Sequence, residues 1–313
     1  MSDLSDRNCY RLQLTDDQGW CITSDRGTSG WLDEFASILR LERSSPETGL
    51  PFLYVHQGNN AKLQPSRDVV EATPNTRRDS TADWRPLHLH SLVVWSNAAH
   101  RDIICQIARE STCKGRILSM WNCLLPIYMR AIDAGGIPMH AALIEKNNTG
   151  ALLVAPGGTG KSTSCRRLPS PWKTLCDDET LLIPNGSGRY FAHPFPTWSN
   201  HILDREPKTW QVEHCVEIEA VFFLRQADDD GIERLGRGES AVLINQSADQ
   251  VCRRVLRAMD ASERKSRRES IFASAADLAV SVPAFSLNIS LNGRFWELIE
   301  DTIFNHKKRD NSR

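Results

Sequence analysis

The chain has 313 residues, with 38 basic and 39 acidic side chains and a formal net charge of −1. That length suffices for two domains, or for one large domain with an appendage. A balance so near neutral excludes a global field that would draw the protein to nucleic acid or to a membrane surface, and no apolar run approaches the roughly 20 residues needed to cross a bilayer.

In chain order, Met1-Ser2-Asp3-Leu4-Ser5-Asp6-Arg7 lacks a basic region followed by an apolar core, so no secretory signal is expected there. Tyr10–Leu14 and Trp20–Thr23 read as short strands around the turn Asp16-Asp17-Gln18-Gly19. Trp31–Leu41 has helical spacing, with Leu32, Phe35, Ile38 and Leu39 on one face. Phe52–His56 reads as a strand, residues 57–83 as a long polar loop, and Leu87–Trp95 as one strand. Ile103–Arg109 and Ile117–Ala134 read as helices, the second closed by Gly135-Gly136. These elements predict an N-terminal α+β domain over 1–130, a candidate unit for binding a peptide or partner.

From about residue 137 the pattern becomes strand-turn-strand. Met139–Glu145 and Ala151–Ala155 flank the hairpin connection Lys146-Asn147-Asn148-Thr149-Gly150. Lys173–Cys176 is a brief strand ending in Asp177-Asp178-Glu179. Thr180–Ile183 and Arg189–Ala192 form a second hairpin. Ile218–Leu224 is a buried strand, Ala248–Met259 a helix, Phe285–Ile289 a late strand and Arg294–Phe304 a final amphipathic helix. A catalytic domain over 131–305 and a solvated basic tail over 306–313 follow. The nine cysteines are odd in number and contain no Cys-x-x-Cys pair, so reduced thiols in a cytoplasm are expected, rather than disulfides or zinc. The sequons at Asn147, Asn245 and Asn288 are then chance occurrences.

The chemistry centres on Ala155-Pro156-Gly157-Gly158-Thr159-Gly160-Lys161-Ser162-Thr163, where an apolar strand ends in a glycine-rich loop that opens a helix. Glycines let a backbone turn tightly and point N–H groups at an anion, and the helix start adds its unpaired N–H groups. In a P-loop of this order Lys161 reaches the β- and γ-phosphates, and the Ser162 hydroxyl ligates Mg²⁺. Ala155 stands where the strict pattern has its first glycine. Asp177 and Asp178 then supply adjacent carboxylates after the P-loop helix. If the sheet is parallel they converge on the phosphate edge, one facing metal and the other an acceptor hydroxyl. Read alone, Asp-Asp-Glu equally ends a strand. His140 starts the strand that leads into the loop and is either structural or near the γ-phosphate. His193-Pro194-Phe195-Pro196-Thr197-Trp198-Ser199 is either a pocket wall or a rigid turn. The basic run from Arg253 to Arg268 is a solvated helix face or a contact for an acidic peptide or a second subunit.

This set resembles the HPr kinase/phosphorylase family: a histidine-bearing strand (Met139-His140-Ala141-Ala142-Leu143), a hairpin, a P-loop and a short strand ending in Cys176-Asp177-Asp178-Glu179. Within that group, Ala155–Thr163, Cys176–Glu179 and His193–Ser199 look most like SynChlorMet cassette protein ScmC, with lasso-peptide precursor kinases as relatives. The resemblance covers residues 137–225 well and the region to about 304 loosely. It implies an α/β (α+β) fold: an HPr kinase-like P-loop core with a mixed central sheet, plus a smaller N-terminal α+β domain. It also implies ATP and Mg²⁺ as cofactors, a peptide or protein substrate phosphorylated on Ser or Thr, and a homo-oligomer. One of Asp177 and Asp178 would be the base and the other near metal. Thr163 departs from the family's usual acidic residue, and no counterpart of its C-terminal dephosphorylation segment is found. A kinase is therefore expected rather than a bifunctional enzyme, and HPr itself is not the expected substrate. Two other functions compete: a nucleotide-binding scaffold that docks a precursor peptide, suggested by Trp20, Trp31, Trp84 and Trp95, and a small-molecule kinase acting on free serine.

Overall fold

β1 (Cys9–Thr15) alternates in burial while β2 (Gln18–Ser24) is buried from Gly19 onward, and the two pair as an antiparallel hairpin with a bulge between Gln13 and Thr15. The computed structural model describes residues 8–45, 49–58, 65–71, 73, 83–108, 112–203 and 208–305. They fall into two units. One joins Met1–Arg130 with Pro196–Glu213 and Arg254–Ala261, and the other joins Ala131–Phe195, His214–Arg253 and Ser262–Arg313. Two excursions from the range expected to be catalytic thus lie in the first unit. The expected basic tail lies outside the described residues.

In the first unit, Asp25 Oδ1 accepts the Thr28 N–H at 2.8 Å and caps a short turn leading into α1 (Ser29–Leu39). Trp31, Leu32, Phe35, Ala36, Ile38 and Leu39 form its buried face, and Arg40 ends it at φ 52°. Next come β3 (Glu42–Arg43), β4 (Phe52–Gln57), α2 (Arg67–Glu71), β5 (Arg85–Leu89), β6 (Leu92–Ser96) and β7 (Ile103–Ile107). The strands make one sheet in the order β3-β1-β2-β4-β7-β6-β5, with β2, β4 and β7 mutually parallel. Then follow α3 (Cys113–Cys123), capped by the Thr112 hydroxyl, and α4 (Leu125–Asp133).

Several expectations for this unit are corrected. Residues 103–107 are a strand, not a helix: Ile103-Ile104-Cys105-Gln106-Ile107 is short and β-branched, and it pairs on both sides with β4 and β6. The single strand expected over Leu87–Trp95 is a hairpin turning at His90-Ser91. Of the expected long loop, Gln57 belongs to a strand and 67–71 are helical, while 59–64, 72 and 74–82 lie outside the described residues. The thiols are not all reduced: Cys9 and Cys21, on neighbouring strands, form a disulfide, and the other seven cysteines are free. Strand pairing joins residues whose sequence spacing carries no disulfide signal.

The second unit starts with β8 (Ile137–Lys146) and β9 (Thr149–Val154), joined by Asn147 (φ 54°) and Asn148 (φ 59°) in a two-residue turn. Asn tolerates this left-handed backbone, whose twist suits a tight hairpin. After them come α5 (Lys161–Arg167), β10 (Lys173–Cys176), β11 (Glu179–Pro184), β12 (Tyr190–Phe195), α6 (Trp198–Ile202), β13 (Val216–Gln226), β14 (Gly231–Arg234), α7 (Arg237–Ala258), α8 (Ala261–Ser281), β15 (Ala284–Ile289) and α9 (Phe295–Glu300). A further turn of π-type helix covers Asp301–Asn305. Among these, α6 and the end of α7 belong to the first unit.

The sheet of the second unit is mixed. Glu145 of β8 pairs with Gly150 of β9 on one side and Lys173 of β10 on the other. The run from β10 to β11 follows β8 antiparallel, β11 pairs β12, β12 pairs β13, and β13 pairs β9 in parallel. These strands therefore close a ring, from which β15 and β14 extend. Leu153, Phe222, Leu287, Phe295 and Ile299 fill the adjoining core. Each such side chain contributes on the order of 1.5–3 kcal/mol when fully buried. The protein is thus a mixed α/β chain with two mixed sheets, the fold class that the family resemblance implied.

Candidate phosphate-binding and transfer site

β9 delivers the glycine-rich segment. Its apolar residues Ala151 to Ala155 are buried, and the chain emerges at Pro156, Gly157 and Gly158, which are exposed. Gly158 and Gly160 hold φ of 83° and 106°, the left-handed backbone that side-chain-bearing residues rarely adopt. A Cβ placed at Gly157 or Gly158 would meet nothing within 4 Å, so the outer face of the turn is open. The Thr159 N–H closes onto Pro156 O at 3.3 Å, and the Ser164 N–H onto Gly160 O at 2.8 Å as α5 begins. Ser162 is half-buried, and Thr163 is exposed with its hydroxyl accepting from Arg166 at 3.3 Å.

Lys161 turns inward and is 7% exposed. Its Nζ donates to Ala155 O at 2.6 Å and lies 2.7 Å from His140 Nε2. On the other side of that ring, His140 Nδ1 stands 3.0 Å from Asp178 Oδ1. A protonated amine has donors alone, so Nε2 must accept, and Nδ1 carries the proton it gives to the carboxylate. Burial lowers the Lys161 pKa, opposed by the negative charges of Asp178 and Asp177.

The carboxylates sit at an interruption. β10 pairs with Leu143–Glu145 of β8, and β11 resumes at Glu179 opposite His140, so Asp177 and Asp178 lie between two pairings on the same strand. The Cys176 thiol bonds Glu179 O at 3.1 Å and the Thr180 hydroxyl at 3.2 Å, and that hydroxyl donates to Ala141 O at 3.0 Å. Burial pushes the Cys176 thiol up to about 11, which keeps it a neutral bridge. The Asp pair does approach the loop, but the cause is not a parallel sheet. β9 and β10 both run antiparallel to β8, so they share a direction and end at the same edge.

Three contributors escaped the sequence reading. Ser247 of α7 donates from Oγ to His140 O at 3.2 Å. Thr180 stitches the interruption. Gln226, at the end of β13, donates from Nε2 to Thr159 O at 3.3 Å. For Gln226 the sequence carries no signal: its place at the loop edge follows from the parallel register of β13 with the loop-bearing strand.

Other candidates are placed elsewhere. His193, Phe195 and Trp198 are fully buried, so that segment is an internal anchor rather than an open wall. Much of the basic run is engaged inside the chain: Arg254 lies 3.3 Å over the Trp121 ring, Arg267 bonds Asp133, and Arg253 pairs with Asp249. Trp20, Trp31, Trp84 and Trp95 are all buried, which removes the motive for reading them as a peptide platform.

The donor set suits a magnesium–nucleotide. The Ser162 hydroxyl and two carboxylates are hard oxygen ligands, and the loop offers an open, glycine-formed turn. Among the described residues no group of three or more His, Cys, Asp or Glu side chains is assembled to hold a metal ion, so phosphate oxygens and water would complete the shell. No helix among them is long and apolar enough to cross a membrane.

No curated protein sequence matches this chain. Among solved structures, the HPr(Ser) kinase/phosphatase from Coxiella burnetii superimposes with a TM-score of 0.31 at 13% identity, covering 56% of this chain and 93% of that one. A superposition that loose assigns no activity. The family model of SynChlorMet cassette protein ScmC matches residues 103–305, a span that contains the loop, the histidine and both carboxylates. The chain belongs to the SynChlorMet cassette protein ScmC family.

Proposed function

We propose that this protein is a kinase that transfers the γ-phosphoryl group of ATP, with Mg²⁺, to a Ser or Thr hydroxyl of a peptide or protein. The observation that carries this reading is the Asp178–His140–Lys161 chain, which ends inside a glycine-rich loop. Residues 155–163 would hold the phosphates, with Lys161 as the cation among them. Ser162 and the carboxylate pair would hold Mg²⁺, which when bound neutralises phosphate charge.

We assign the acceptor hydroxyl to Asp177 and the orientation of His140 to Asp178, which lies 3.0 Å from its Nδ1. The Asp177 carboxylate takes the hydroxyl proton, the hydroxyl oxygen bonds to the γ-phosphorus, and the bond to the bridging oxygen breaks, leaving ADP. The cassette context in the family's name points to peptides encoded beside this gene as the first acceptors to try, in line with ribosomal peptide modification.

Purified protein with ATP-Mg²⁺ and those peptides should give a product 80 Da heavier on Ser or Thr, an increment of one phosphoryl group (about 80 Da). Lys161→Ala should abolish it, and Asp177→Asn should slow it about 10²–10⁴-fold. Nucleotide binding without transfer to any peptide or free hydroxy amino acid overturns the proposal. Turnover on free serine alone would reassign the acceptor to a small molecule.

A further inference from the structure

The tip of the glycine-rich loop is sparsely supported. Cβ atoms built at Gly157 and Gly158 meet nothing within 4 Å, and at Gly160 the nearest contact is Ile289 Cδ1 at 4.0 Å. Yet its Thr159 carbonyl receives the side-chain amide of Gln226 at 3.3 Å. That amide stands on firm backbone. Phe223 of β13 pairs with Val154, the last residue of β9, and Gln226 itself pairs with Ile289 of β15. The next residue adds Ala227 N–H to Ile289 O at 3.1 Å. The strand end is therefore held from both sides, and its final side chain reaches the loop.

A carbonyl oxygen carries partial negative charge, which repels phosphate when turned toward it. A donor fixed on that oxygen sets the orientation of the Thr159–Gly160 peptide and satisfies its acceptor. From this geometry we propose that Gln226 is a positioning residue for nucleotide phosphate binding, acting through the Thr159 carbonyl. This rests on the reading of the loop as a phosphate site. Gln226 touches no reacting atom, so its contribution belongs to nucleotide affinity and not to the transfer step.

The test is binding of a fluorescent ATP analogue with Mg²⁺ to the full chain, alongside kcat, KM and Tm, for Gln226→Ala, Gln226→Glu and Gln226→Lys. Loss of one neutral hydrogen bond should raise the dissociation constant of Gln226→Ala about three- to tenfold, with kcat and Tm unchanged. Gln226→Glu, which is isosteric but presents an acceptor and a charge, should bind more weakly still. Gln226→Lys, which restores a donor, should return close to wild type. Wild-type affinity in both Gln226→Ala and Gln226→Glu overturns this proposal and leaves the loop reading standing. A parallel fall in Tm and affinity across all three variants also overturns it, since that is a structural role. Absence of binding by the wild-type chain overturns the loop reading together with this one.

Discussion

His140 Nδ1 lies 3.0 Å from Asp178 Oδ1 while the opposite ring nitrogen lies 2.7 Å from Lys161 Nζ, so a single imidazole ties Asp178 to the lysine that follows the glycine-rich loop. The two aspartates are adjacent in sequence, but this contact distinguishes them. Asp177→Asn should cost about 10²–10⁴ in kcat, the range of a lost general base. Asp178→Asn should cost less. Adding His140→Ala to it should cost little further, because the two act in series. Single-turnover rates for the two single variants and the double variant check this, and additive losses would refute the series arrangement.

Lys161 separates function from stability. Burial lowers its pKa, so the fold is a poorer host for its charge than water is. Lys161→Met should abolish measurable nucleotide binding while its Tm at neutral pH stays at or above that of the wild type. Calorimetric melting with and without ATP-Mg²⁺ reads both: only the wild type should gain Tm from nucleotide.

The loop glycines should not be equivalent. Gly160, at φ 106°, cannot accept a Cβ without strain, so Gly160→Ala should cost about 1–2 kcal/mol. In a chain this large that is a Tm drop of several degrees. At Gly157 a Cβ meets no neighbour, and Gly157→Ala should melt within a degree of wild type. Equal losses at both positions would contradict the backbone described.

Acid should weaken one specific tie. The Glu300 carboxyl is raised by burial but more than offset by Lys146 at 2.6 Å and the Trp172 N–H at 2.7 Å, so its pKa falls below the ordinary 4.5. A depressed carboxylate adds stability that is fully present above 4.5 and is lost as pH falls through the lower folded value. Wild type should therefore melt above Glu300→Gln at pH 7, and the gap should close well below 4.5. A gap independent of pH would show that packing, not charge, is what the substitution removes.

The glycine-rich loop, its hairpin and the position of the Asp pair were legible because each is written locally: Gly-x-Gly-Lys for the turn, Asn147-Asn148 for the tight connection, Asp177-Asp178 at the end of a short strand. What the sequence hid depends on partners remote in the chain. Residues 103–107 are strand because β4 and β6 flank them, and Cys9 meets Cys21 through strand pairing. The helix Ala261–Ser281 has a narrow buried stripe of Ile271, Ala275 and Leu278 amid charged residues, too weak a periodicity to stand out. Gln226 lies just past the apolar run Ile218–Leu224, and only the parallel register sets it beside Thr159.

One strand, β8, borders the loop-bearing strand on one side and the carboxylate-bearing run on the other, within a closed ring of hydrogen-bonded strands. A closed ring has no seam along which its parts can slide. The strands that carry the glycine-rich loop and flank the carboxylates are therefore held at a spacing set when the chain folds. If the proposed kinase reading holds, a change of acceptor should be engineered outside these strands, leaving β8 and its neighbours untouched.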